Sequence, residues 1–447
     1  MNAGSDTDLC GKESRMRCLV KLVLAAMLAL AGFGCERSMP VSLTHDSVLA
    51  KAGLKTYWRL KLELLEDERV EKLMLLDETL YCLTNTNHLL AVDAARGVRK
   101  WSRKVAEPGV RVYRPCHGSG VAMRKDLPGL VDILTPPAPE SLSTFDLVLI
   151  NTPNYALALD RATGELRRKI DFRTPPDEFT ANTGGSCDGT YFYVGAVGGR
   201  CYAFRLSDGV IAWILRTGDV LTAAPRTHSP GGEPRVFVAG EDGELYVAKA
   251  GTDLSLVWPP VGIRQWPAMA GPVTADFHVD DRACFVPCVN RRVYAFSLAG
   301  GEALWRFTCG GALADPIQVS ENSVFQYARG DKLYVLNPAS GKVRWTMNSG
   351  RRVLAAMSKG DVPLAYLVDD ARSLLVVDEI LGKVRASIPL TGVELFADNT
   401  KAPALYLASR DGKLYCLRQI GSGHLSAETL KTGKPKPKPK PAKSAST

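Results

Sequence analysis

The sequence predicts an all-β fold: an eight-bladed β-propeller of four-stranded blades, closed by an N-terminal strand that completes the last blade. Three observations predict it. A hairpin motif returns along the chain, its copies are evenly spaced, and the two ends carry half-blades that fit one another.

The motif is clearest in LYVLNPASGKVRW, residues 333–345. It reads as an alternating strand, a turn opened by Asn337 and closed by Gly341, and a second strand ending on Trp345. Asn or Asp accepts backbone N–H bonds in such a turn, and Gly takes the positive φ at no steric cost. Copies lie at 91–101, 158–168, 203–213, 247–258, 295–305 and 376–386, so there are seven in all.

The motif's last positions are Trp101, Arg168, Trp213, Trp258, Trp305, Trp345 and Ala386. Their separations are 67, 45, 45, 47, 40 and 41 residues, regular apart from one insertion. A period of this length with several strands per unit marks propeller blades, each of which buries its faces only against its neighbours. Trp101, Trp213, Trp258, Trp305 and Trp345 are read as architecture, filling the gaps between blades and closing their hairpins. At 447 residues, one closed ring absorbs nearly the whole chain.

Residues 1–34 read as a secretory signal, with translation starting at Met1 or Met16. Arg15, Arg17 and Lys21 precede the short apolar run LVLAAMLALAGF. AGFGC resembles the lipobox of bacterial lipoproteins, which implies diacylation of Cys35, although Gly32 stands where Leu is usual. Residues 35–50 are then a lipidated tether.

TYWRLKL (56–62) looks like an outermost strand with no hairpin before it. ALYLASRDGKLYCLRQI (404–420) has inner strands and none behind them. Paired, they make the eighth blade and leave the ring without a free edge. The propeller is therefore expected over 51–420. Its innermost strands are expected in small-residue segments such as 221–225, 268–273, 312–317 and 353–357. An insertion at about 114–145, rich in Pro, Gly and Ser, is expected as an extended loop on one face. Residues 421–447, ending in alternating Lys and Pro, are expected as a disordered basic tail.

The net charge of +9 is concentrated at the ends. Six Lys follow from Lys431 onward without an acid, and the body keeps about +2, so no nucleic-acid surface is indicated. The six His show no metal-binding spacing, and no catalytic set is assigned. Cys116 and His117 are adjacent and should face opposite ways on an extended chain. Cys284 and Cys288 share one strand, about 13 Å apart, too far for a disulfide. Charged residues in turns leading to the innermost strands form the candidate partner-binding set: Arg111, Asp219, Arg264, Arg351, Arg352 and Glu394, with Trp266 nearby.

ALDRATGELRR, VLNPASGKVRW and VVDEILGKVRA resemble the tryptophan-docking repeat of the pyrroloquinoline-quinone propeller superfamily, over about residues 55–420. The resemblance implies one of two functions. The quinone-dependent alcohol dehydrogenases use calcium and a disulfide between adjacent cysteines, and this chain has no Cys-Cys pair. The propeller lipoproteins of the outer-membrane β-barrel assembly machinery are non-enzymatic, and the arrangement here is most like theirs. That resemblance implies a lipid-anchored scaffold without a cofactor, on the periplasmic face of the outer membrane. It would bind a protein or peptide partner as a monomer within a complex. The alternative is a quinone-binding dehydrogenase-like protein or sensor, and a third reading has the Lys tail binding envelope polysaccharide.

Overall fold

The recurrent hairpin turns fold as their residue types dictate. In the computed structural model, Asp93 Oδ1 accepts the N–H groups of Ala95 and Arg96 at 2.9 and 3.0 Å, and Gly97 closes the turn at φ +69°. Asn337 and Asp378 do the same in their own turns. In the blades that are continuous in sequence, the third strand enters this turn and the fourth leaves it, with a β-bulge beside the motif's last residue that sharpens the twist.

The structure describes residues 46–122, 143–174, 178–258, 269–348, 353–357, 362–369 and 371–432, with backbone only at 121, 122, 143, 144, 258 and 353–357. These form eight four-stranded antiparallel sheets. Blades 1 to 7 are continuous in sequence: 70–104, 116–171, 181–216, 226–258, 278–308, 318–347 and 353–389. Blade 8 is composite. Leu54–Lys61 supplies its outermost strand, paired with Lys413–Gln419 so that Leu54 faces Gln419 and Lys61 faces Lys413. The middle strands are the most buried; TLYCLT (79–84), YFYVGA (191–196) and CFVPC (284–288) are buried at every position. Their side chains form the clusters between blades, as in Tyr193, Trp213, Val236 and Ala248.

Each described Trp of the motif docks on the blade that follows. Trp101 Nε1 donates to Arg161 O at 3.0 Å, and its ring lies where a Cβ on Gly164 would fall. Trp305 donates to Pro338 O at 2.8 Å over Gly341, and Trp345 to Glu379 O at 2.8 Å over Gly382. Trp213 donates to Gly251 O at 3.2 Å. The residues therefore latch one blade to the next hairpin rather than closing their own. The side chain of Trp258 lies outside the described residues.

The two positions without Trp now have reasons. Arg168 reaches the same kind of turn in blade 3, donating from Nη2 to Ser207 O at 3.0 Å and from Nη1 to Asp208 O. Ala386 faces blade 8, whose third and fourth strands are the two ends of the chain and have no turn between them. A Trp there would have nothing to latch.

Four boundaries differ from expectation. Helix α1, Asp46–Lys51, belongs to the folded body rather than to a tether: Leu49 is buried, and Asp46 pairs with Arg59 at 3.0 Å. Helix α2, Ala427–Thr432, shortens the expected tail, because Leu425 and Leu430 are buried in the blade 8 and blade 1 core and Lys431 pairs with Glu78 at 3.4 Å. Apolar side chains at these spacings hold both ends against the ring. The 114–145 insertion shrinks, since Cys116–Ala122 and Ser143–Asn151 pair in continuous register as blade 2's first two strands. Three innermost strands begin later than expected, at Arg226–His228, His278–Val279 and Gln318–Val319. The small-residue segments before them carry the chain across the axial face; only 353–357 is itself a strand. Residues 1–45, 123–142 and 433–447, including Cys35 and the Lys/Pro repeat, lie outside the described residues.

Candidate functional site

The innermost strands enclose an axial cavity of about 710 Å³. Side chains tie the blades around it: Tyr113 Oη donates to Ala181 O at 3.2 Å, Asn182 Nδ2 to Leu221 O at 2.9 Å and Thr222 Oγ1 to Val273 O at 3.0 Å. Leu430 of α2 also borders the cavity, so the C-terminal segment forms part of its wall.

Cations dominate the lining. Lys72 Nζ donates to Val112 O at 3.1 Å, and Arg114 Nη2 to Leu75 O at 3.3 Å. The guanidinium of Arg111 lies 4.7 Å from the centre of the Tyr113 ring. Arg226 is neutralised, with Nη2 2.7 Å from Asp276 Oδ2. Enclosure by protein lowers the pKa of Lys72, and the nearby charge of Arg111 lowers it further. Enclosure lowers that of Arg114 as well, against the pull of Asp398.

At the cavity's edge, His117 Nδ1 lies 2.7 Å from Asp77 Oδ2 and His117 Nε2 lies 2.9 Å from Tyr81 Oη. The chain of contacts has the look of a proton relay. Its terminal phenol is fully buried, however, and burial pushes the Tyr81 pKa far up, so no nucleophile is presented. The hydrogen bond from His117 holds the Asp77 carboxyl below its usual range. The cluster ties blade 1 to blade 2. Cys116 points the other way, against the cluster containing Phe192 and Leu149, as adjacent residues on a strand must. All eight described cysteines are free thiols.

Of the expected partner-binding set, Arg111 alone among the described members lines the cavity. Asp219 is exposed in the turn before blade 4, where its Oδ1 accepts the N–H of Val220 at 2.7 Å. Glu394 accepts Arg410 N–H at 3.0 Å within blade 8. Arg264, Trp266, Arg351 and Arg352 lie outside the described residues. The sequence reading missed Lys72, Arg114 and Arg226. Their signal was present: each is a long cation on or beside an innermost strand, where side chains crowd around the axis.

A family model described as outer membrane protein assembly factor BamB matches residues 250–444. The fold is a PQQ-like propeller resembling BamB. Among solved structures, BamB from Moraxella catarrhalis is 13% identical with a TM-score of 0.55, covering 82% of this chain and 99% of that one. A computationally designed protein, Ika8, is 11% identical with a TM-score of 0.56, covering 80% of this chain and 98% of that one. No curated protein matches the sequence. Likeness to a designed protein at a similar score marks these structural matches as matches of architecture. The described lining does not fit a calcium-held quinone. Asp77 is taken by His117 and Asp276 by Arg226, and no three described His, Cys, Asp or Glu side chains gather as metal ligands.

Proposed function

We propose that this chain is an exported, lipid-anchored, non-enzymatic scaffold that binds a protein or peptide partner at the periplasmic face of the outer membrane, in the assembly of outer-membrane proteins. The observation that carries the reading is the sequence match of residues 250–444 to the BamB family model. The ring supports it: blades latched in series make a rigid platform, and binding residues on such platforms come from the loops and turns they hold out. Arg111, Asp219, Arg264, Trp266, Arg351, Arg352 and Glu394 are the candidate contacts, and diacylated Cys35 is the anchor.

The test is site-specific photo-crosslinking in intact envelopes, with the reactive residue placed at each of these seven positions in turn. Leu304, exposed on the outermost strand of blade 5, is the control. A discrete adduct with an outer-membrane assembly protein, absent from the Leu304 sample, is expected. Adducts no more specific than the control's would overturn the reading. Cys35→Ala should release the protein from the membrane fraction, whereas truncation after Thr432 should leave it there.

A further inference from the structure

The axial cavity carries more positive charge than its own acids neutralise. Among the described residues, five cations line it, Lys72, Arg111, Arg114, Arg226 and Lys401, against three carboxylates, Asp77, Asp276 and Asp398. The carboxylates are engaged: Asp77 with His117, Asp276 with Arg226, and Asp398 in an interaction of its own. Lys72 and Arg114 donate to backbone carbonyl oxygens and Arg111 meets an aromatic ring, and of the three Arg114 also feels the charge of Asp398. Ser186, which also borders the cavity, keeps a buried hydroxyl with no hydrogen-bond partner among the described residues.

Like charges that face one cavity repel and are stabilised by an anion between them. A volume of about 710 Å³ has room for a small molecule. We propose that the axial cavity binds a small anionic molecule through a carboxylate or phosphate group held between Lys72, Arg111 and Arg114. The site shares Arg111 with the candidate partner contacts, whereas Lys72 and Arg114 belong to it alone. Arg and Lys supply complementary parts, a fork for bidentate contact with an oxyanion and a compact point charge.

The full chain is titrated with inorganic phosphate and, separately, citrate, each against sodium chloride at equal ionic strength, with thermal unfolding and calorimetry as readouts. A saturable rise in Tm beyond that in chloride is expected with at least one anion. Binding should weaken at least tenfold in Arg114→Gln and in Lys72→Gln. Arg306→Gln, on the exposed outermost strand of blade 5, should leave it unchanged. Response to phosphate alone assigns a phosphate ester, response to citrate alone a carboxylate, and response to both a site for either. Should Arg114→Gln not fold, Lys72→Gln decides, because its side chain is open to the cavity. The proposal is overturned if neither anion exceeds chloride, or if Arg306→Gln weakens binding as much as the cavity variants do.

Discussion

The indole of Trp58 lies on Gly97, filling the space where a Cβ would stand 2.5 Å from Trp58 Cδ2. Its Nε1 donates to Ala94 O at 3.0 Å, and Tyr406 Oη donates to the same carbonyl at 3.0 Å. Trp58 belongs to the N-terminal strand of blade 8 and Gly97 to the hairpin of blade 1, so this latch is the joint that closes the ring. Trp58→Ala should lower unfolding free energy by roughly 2–4 kcal/mol, somewhat below the usual cost for a fully buried Trp. Gly97→Ala should also destabilise, because φ +69° disfavours a side chain and the indole occupies its place. Denaturant titration reads both; unchanged midpoints would show that the joint is not held by this contact.

Arg168 performs with a guanidinium what Trp performs elsewhere. Arg168→Ala should cost about 1–2 kcal/mol, the loss of two hydrogen bonds to turn carbonyls and of side-chain packing. Arg168→Trp should come within about 1 kcal/mol of the parent, since the turn ending at Gly209 has the shape the other turns offer an indole. If Trp proves as damaging as Ala, the blade 3 turn is not equivalent to the rest.

Acid should weaken the protein through Glu68. Burial raises its pKa, but hydrogen bonds from Thr86, Leu65 N–H, Thr84 and His88 prevail and hold it at about 2. A carboxyl depressed from 4.5 contributes stability that is fully present above that value and is lost as pH falls from 4.5 toward 2. Its contribution is of the order of 3 kcal/mol. Tm measured from pH 6 to pH 2.5 should fall in the parent, and Glu68→Gln should flatten the lower part of that curve. A parallel curve for the variant would assign the acid sensitivity elsewhere.

The body's thiols should be inert. Burial pushes Cys82, Cys187, Cys201, Cys309 and Cys416 up to about 12, leaving little thiolate at neutral pH. Alkylation of these five, followed by peptide mass spectrometry, should be at least a hundredfold slower in the native protein than in denaturant. Rapid native labelling at Cys201, in the middle of blade 3, would mean that the blades separate.

The fold was legible because repetition converts weak local signals into a strong one. A single Asn-to-Gly hairpin is common, but seven at one spacing admit few other architectures. The direction of the Trp latch was not legible, because the contact between Trp101 and Arg161 spans sixty residues and periodicity places the ring without saying which turn receives it. Lys72, Arg114 and Arg226 escaped for a related reason. Whether a cation on or beside an innermost strand faces the axis depends on where that strand begins, and the sequence around it does not fix that start. The ends were misjudged because Leu425 and Leu430 are isolated apolar residues in polar surroundings and the apolar run Val48–Ala50 is short, patterns that only a receiving surface makes informative.

The pairing of Leu54–Lys61 with Lys413–Gln419 makes the first described strand wait for the last. Until residues 413–419 have emerged, the outermost strand Leu54–Lys61 has no strand to pair with, and before residue 406 Trp58 has no aromatic neighbour in Tyr406. A chain cut short anywhere before that point keeps an open sheet edge and exposed aromatics, which mark it for capture by chaperones and proteases. Ring closure thus ties the burial of the Leu54–Lys61 strand to the arrival of a partner more than 350 residues further along the chain.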